Sequence, residues 1–249
     1  MDFVEVQRSD RVATARLSRG KVNALNGAVV DQLRDILRAW EGDPEVGAVV
    51  VTGAGRFFSF GFDIPEFLSF NRAQFTDFLR NFTDLYTYLF QYPKPVVAAL
   101  NGHAIAGGCM LALACDHRIM VSGKARISLN EIGFGSSVFA GSTEMLRFWV
   151  GSANATAVLV SGAMYPAEEA RSLGLVQDVV PEERLAERAN EVATALAAKH
   201  VAAFASVKSL LRRSVVGEMK SREAEAIREF VNIWYSEATW ANLQNIRIR

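Results

Sequence analysis

The chain has 249 residues, half of them apolar and 22% charged, a balance that builds a sizeable core and excludes a disordered chain. Lys plus Arg and Asp plus Glu each number 27, so no excess charge draws the chain to nucleic acid or an anionic membrane, and a small neutral or mildly anionic partner fits better. Cys109 and Cys115, the only cysteines, share the apolar run GCMLALACD and read as buried thiols in a reducing compartment.

From the N-terminus, MDFVEVQRSDRVATARL has no basic segment followed by a long apolar run, and strand character starts almost at once; a cytoplasmic protein is expected. Residues 14–17 and 46–52 are short, β-branched apolar runs of the kind that form buried strands. Between them Val29, Leu33, Ile36, Leu37 and Trp40 recur at helical spacing, with Asn26 placed to cap the helix. Phe75, Phe78, Leu79, Phe82, Leu85, Tyr86 and Leu89 predict a second amphipathic helix over 75–90. A strand over 95–100, a helix over 107–115 and a strand over 117–121 follow. The stretch 96–114 is the most apolar, yet Asn101, His103 and three glycines make it a poor membrane span. Alternating strand and helix imply parallel pairing with crossover helices. From Glu182 the glycine and strand signals fade into three helical stretches, roughly 182–199, 202–216 and 221–240. In the last, Ile227, Phe230, Val231, Trp234 and Ala238 form an apolar stripe, for the chain's own core or for a partner subunit.

Several chemistries are excluded by spacing. Gly53 and Gly55, and Gly133 and Gly135, begin G-x-G runs that Phe58 and Val138 leave incomplete as dinucleotide fingerprints, and no Walker lysine follows a glycine-rich loop. Ser59 lacks the preceding glycine of an esterase elbow, since residue 57 is Phe. His103, His117 and His200 have no metal-ligand spacing with each other or with the cysteines, and no metal is expected.

Three segments remain. GRFFSFGFDIPEF (55–67) breaks at Gly61 and feeds a short helix capped by Asp63, which on its own is an ordinary strand-to-helix turn. In NGHAIAGGCMLALACDHRIM (101–120) paired glycines open a helix whose first amides are unpaired, a feature shared by anion sites and by simple close packing. In ISLNEIGFG (127–135) Glu131 is flanked almost entirely by apolar residues, as a loop carboxylate turned to water or as a desolvated base.

Together and in this order, the three segments resemble the crotonase superfamily, also called the enoyl-CoA hydratase/isomerase family. SGAMYPAEEARSLGLVQDVVP (161–181) resembles the family's later helix and strand. The resemblance spans nearly the whole chain and is weakest over 67–92 and after Lys199. It implies an α/β spiral of β-β-α units over residues 1–192, holding the active site, and a helical oligomerisation region over 193–249 that drives trimers or dimers of trimers. It also implies an acyl-CoA substrate in fatty acid β-oxidation and no cofactor beyond the CoA of that substrate. The family's oxyanion-hole amides map to Phe62 and Gly107, its CoA contacts to the neighbourhood of Val22, Phe60, Gly61, Phe62 and Ile64, and its catalytic glutamate to Glu131.

Hydratases in the family carry a second glutamate at the position of Met110, which here can neither hold nor deprotonate water. AGGCMLALACDHRIM and LNE resemble instead the mitochondrial-type 3-to-2-enoyl-CoA isomerases, with an apolar residue at the Met110 position beside the substrate and one glutamate in Asn-Glu context. Phe60 and Phe62 depart from the family, replacing smaller residues, and imply a reshaped or narrowed acyl pocket. The alternatives are hydration, another crotonase-type lyase, decarboxylase or C–C bond reaction, and a non-catalytic acyl-CoA binder. A binder gains nothing from a desolvated carboxylate.

Overall fold

The computed structural model describes residues 2–246. Strands β1 (Val4–Ser9) and β2 (Val12–Leu17) form an antiparallel hairpin, and α1 (Gly27–Gly42) crosses to β3 (Ala48–Gly53). Then come β4 (Phe57–Ser59), α2 (Ile64–Phe67), α3 (Arg72–Gln91), β5 (Val96–Leu100), β6 (His103–Ile105), α4 (Gly107–Ala114), β7 (His117–Val121) and β8 (Ile127–Ser128). A 3-10 turn over Glu131–Phe134 leads into α5 (Ala140–Ser161), α6 (Ala167–Leu173) and β9 (Asp178–Val180); α7 (Leu185–Ala197), α8 (Val201–Trp234) and α9 (Glu237–Gln244) complete the chain.

The strands divide between two sheets in a regular way. The six-stranded sheet runs β1-β2-β3-β5-β7-β9, parallel except at β1, and the three-stranded sheet runs β4-β6-β8, parallel throughout. Each of the pairs β3-β4, β5-β6 and β7-β8 gives its first strand to the large sheet and its second to the small one, then enters a helix. That is the expected β-β-α spiral.

The corners between the sheets are tight, and Asn101-Gly102 makes one of them. The Asn101 side chain accepts from the Gly53 amide at 2.9 Å and donates to the Gly55 carbonyl at 2.8 Å, while a β-carbon on Gly102 would sit 1.9 Å from the Arg56 carbonyl oxygen. These two motif residues are therefore structural.

The capping residues act as expected. Asn26 accepts from the Val29 amide at 3.1 Å, and Asp63 from the Glu66 amide at 3.2 Å. Cys109 and Cys115 are free and buried. Among the described residues no helix is long and apolar enough to cross a membrane.

One C-terminal expectation changes, and one open alternative is decided. The stretches 202–216 and 221–240 are not separate helices: α8 runs unbroken for 34 residues through Gly217 and stops at Tyr235. A mid-helix glycine costs about 1 kcal/mol, which packing along α3 and α5 outweighs. The apolar stripe also turns inward. Ile227, Phe230, Val231 and Trp234 are buried in the chain's own core, and Ala238 is exposed. The large apolar side chains of α8 left to solvent are instead Val201, Val207, Leu210 and Leu211 at its other end. Lys208 and Arg212, between them, reach inward to Asp116 at 2.8 and 2.9 Å and fix that half of α8 to the end of α4.

Candidate active site

The segment after β4 is threaded between a loop and a helix start. The Phe60 amide donates to the Val22 carbonyl at 2.9 Å, the Leu25 amide to the Gly61 carbonyl at 2.7 Å, and the Asp63 amide to the Leu25 carbonyl at 3.0 Å. Alternate amides of an extended chain point to opposite sides, so the Phe62 N–H is directed away from Leu25. Asn23 holds the loop from below, donating to the carbonyls of Ala54 at 2.9 Å and Phe57 at 2.8 Å.

Gly61 has φ +95°, and a β-carbon there would lie 2.9 Å from the Ile105 carbonyl oxygen and 3.1 Å from the Gly107 nitrogen. Gly107 opens α4. The first intrahelical acceptor is reached by the Met110 amide, which donates to the Ala106 carbonyl at 3.0 Å, so the Gly107 N–H precedes the helical ladder and has no acceptor within it. A β-carbon on Gly107 would press on the Phe62 ring at 3.0 Å. The small residues thus bring the two amides into one neighbourhood. Ala106, just before them, has φ +49° and ψ −119°, a backbone conformation that favours glycine.

Glu131 begins the 3-10 turn after β8. That turn is closed by Gly135 in the left-handed region and pinned from α9, where Thr239 donates to the Gly135 carbonyl at 2.5 Å and Asn242 to the Phe134 carbonyl at 3.2 Å. Glu131 is 4% exposed, and burial pushes its pKa up to about 8.

Glu131, Phe60, Phe62 and Ile64 line one cavity of about 380 Å³, whose wall also includes Ile105, Ala106, Asn130, Phe139, Phe230 and Trp234. Among the described residues lining it, Glu131 is the only ionisable side chain. Five buried side-chain polar atoms of the described residues lack a hydrogen-bond partner, and three of them, Asn130 Oδ1, Glu131 Oε2 and Trp234 Nε1, belong to this wall. A larger groove of about 770 Å³ on the face of the six-stranded sheet, beside Thr14, Thr52 and Asn190, holds none of them. The smaller cavity is the candidate site because polar atoms have been dried there without partners.

Of the other residues singled out from sequence, Val22, Gly61 and Gly107 shape the site through their backbones without lining the cavity. Met110 is not on the wall either; it is 1% exposed within α4, whose residues are all buried. It therefore forms part of the core in this structure. Sequence reading missed Asn130, Phe139, Phe230 and Trp234 as wall residues. The two on α8 were visible only as an apolar stripe, which looks the same whether it faces a core, a cavity or a partner.

The Phe62 ring stands at the edge of an aromatic cluster, its centroid 5.1 Å from Phe78, 5.0 Å from Phe82 and 5.9 Å from Phe67. Phe67 and Phe75 are fully buried behind it and take no part in the wall.

This spiral of β-β-α turns is the fold of the crotonase class of acyl-CoA enzymes. The family model described as enoyl-CoA hydratase/isomerase matches residues 7–238, and the chain belongs to that family. It is 38% identical over 204 residues to a mitochondrial enoyl-CoA hydratase of Pongo abelii, covering 80% of this chain and 68% of that one. It is 36% identical over 216 residues to the 2,3-dehydroadipyl-CoA hydratase of Escherichia coli, covering 86% and 83%. The crystal structure of human mitochondrial delta3-delta2-enoyl-CoA isomerase superimposes with a TM-score of 0.92 at 26% identity, covering 98% of this chain and 96% of that one.

Proposed function

We propose that the protein shifts the double bond of an enoyl-CoA from the 3 to the 2 position. The observation that carries this reading is the single carboxylate: Glu131 is the only ionisable group on the described cavity wall, and Met110 offers no second one. Glu131 removes a proton from C2, and the C–H electron pair forms a C1–C2 double bond with the charge on the thioester oxygen, in conjugation with the C3–C4 double bond. The same carboxyl returns the proton at C4 as the double bond settles between C2 and C3 and the carbonyl is restored. The oxygen of the dienolate is held by the amides of Phe62 and Gly107, each worth about 3 kcal/mol in a site of this kind. The raised pKa suits a base that must also act as an acid near neutral pH. The CoA arm runs past Val22, Phe60, Gly61 and Ile64, and the reaction needs no cofactor beyond it.

Hydration of a 2-enoyl-CoA is the second reading, favoured by the hydratase names of the relatives at 36–38% identity. An ultraviolet assay with a 3-enoyl-CoA separates the two. Conjugation of the double bond to the thioester appears as new absorbance if the protein isomerises. Absence of that signal, with 3-hydroxyacyl-CoA formed from a 2-enoyl-CoA, would replace isomerisation by hydration.

A further inference from the structure

The reaction outlined above uses the oxygen-binding amides and the Glu131 carboxyl, and it leaves Trp234 unemployed. The indole is 1% exposed, its ring forms part of the cavity wall, and its Nε1 has no hydrogen-bond partner among the described residues. The ring is held in place by Phe75 at 4.5 Å and Phe230 at 5.9 Å between centroids. An indole N–H can only donate. A hydrocarbon chain filling the cavity would leave that donor unpaired and dry, whereas an oxygen atom on the chain would satisfy it. A site that presents a buried donor to its substrate discriminates against the analogue lacking the matching acceptor.

We infer that the Trp234 N–H faces the acyl chain and selects acyl-CoA thioesters whose chain carries a neutral oxygen, a ketone or a hydroxyl, beyond the reacting carbons. A carboxylate at that place is disfavoured. No Lys, Arg or His is among the described residues of the wall, so among them a second anion would share the cavity with Glu131 and meet no counter-charge. This inference rests on reading the cavity as the acyl site, and it is independent of whether the bond is shifted or hydrated.

Saturated thioesters test it without turnover. Calorimetric titration of the purified chain would compare a fatty acyl-CoA with acyl-CoAs of equal length bearing a keto group at successive carbons past C4, and with the dicarboxylic analogue. The keto thioester of matching position is expected to bind about tenfold more tightly than the hydrocarbon, and the dicarboxylic one more weakly. Trp234→Phe keeps an aromatic ring but loses the pyrrole ring with its N–H; the ratio of keto to hydrocarbon affinity measured within the variant should fall from about ten to about one, whatever the change in absolute affinity. Its fold is checked by circular dichroism, and Trp234→His, which restores a ring N–H, should recover part of the preference. Equal binding of keto and hydrocarbon thioesters by the wild type, or an unchanged preference in Trp234→Phe, overturns the inference and leaves the acyl reading intact. Binding of none of the thioesters overturns both.

Discussion

Gly61 and Gly107 leave no room for a side chain between them: a β-carbon on Gly61 would fall 3.1 Å from the Gly107 nitrogen, with the Ile105 carbonyl oxygen 2.9 Å away. Gly61 is also at φ +95°, so Gly61→Ala strains the turn and pushes the Phe62 and Gly107 amides apart. A loss of about 2 kcal/mol in stability is expected, from thermal unfolding. Turnover in the folded fraction should fall at least about tenfold, since the amide pair acts only in the right geometry. Wild-type kcat/KM in the variant would remove these amides from the mechanism.

Glu131→Gln keeps the side-chain volume and loses the proton acceptor. Isomerisation should drop by about a hundredfold or more, with CoA binding retained. Near wild-type turnover would exclude Glu131 as the base.

The pH dependence follows from the same carboxyl. With its pKa pushed up to about 8 by desolvation, kcat/KM should rise with pH toward a plateau above that value, because the base must be ionised in the free enzyme. Stability runs the other way. Between the ordinary value of 4.5 and about 8 the folded state binds more proton than the unfolded state. Stability from this group is therefore fully present below about 4.5 and is lost as pH rises through about 8. Chemical denaturation across that window should show the decline in wild type and a flatter profile in Glu131→Gln.

Ala106 holds a backbone shape that glycine adopts freely. Ala106→Gly relieves that strain at some cost in unfolded-chain entropy, and a net gain of about 1 kcal/mol is expected. Differential scanning calorimetry should show a higher Tm; a lower one would mean that the alanine methyl, on the cavity wall, packs more than it strains.

Met110→Glu places a carboxyl inside α4 at a position 1% exposed. A loss of about 3 kcal/mol or more is expected from the unpaired buried group. If a folded fraction hydrates 2-enoyl-CoA above wild type, the new side chain reaches the cavity and the residue at 110 sets the choice of reaction.

Self-association is expected through the outward end of α8, where Val207, Leu210 and Leu211 are exposed. Sedimentation at micromolar concentration should show no 27.3 kDa monomer, and Leu210→Glu with Leu211→Glu should produce it. A wild-type monomer would refute this.

Much of the spiral could be read from sequence because its strands are short β-branched runs and its helices carry clean periodicity, as in Val29 to Leu37 and Phe75 to Leu89. The Glu131 and Gly107 positions were legible only through motif resemblance; locally, a carboxylate in an apolar loop and a Gly-Gly helix start have commoner explanations. What stayed hidden were relations across the chain. Nothing near Trp234 in sequence says that α8 passes the Glu131 turn, and nothing near Met110 says that every residue of α4 is buried. The break expected between 216 and 221 is overridden by the packing of α8 along α3 and α5.

The unbroken run of α8 has a mechanical consequence. At 34 residues it is a rod of about 50 Å, with Leu210 and Leu211 out in solvent toward one end and Phe230 and Trp234 in the cavity wall at the other. One continuous backbone thus carries both the exposed apolar end and two rings of the cavity wall, so a contact made at one end bears on the same element that places the rings at the other.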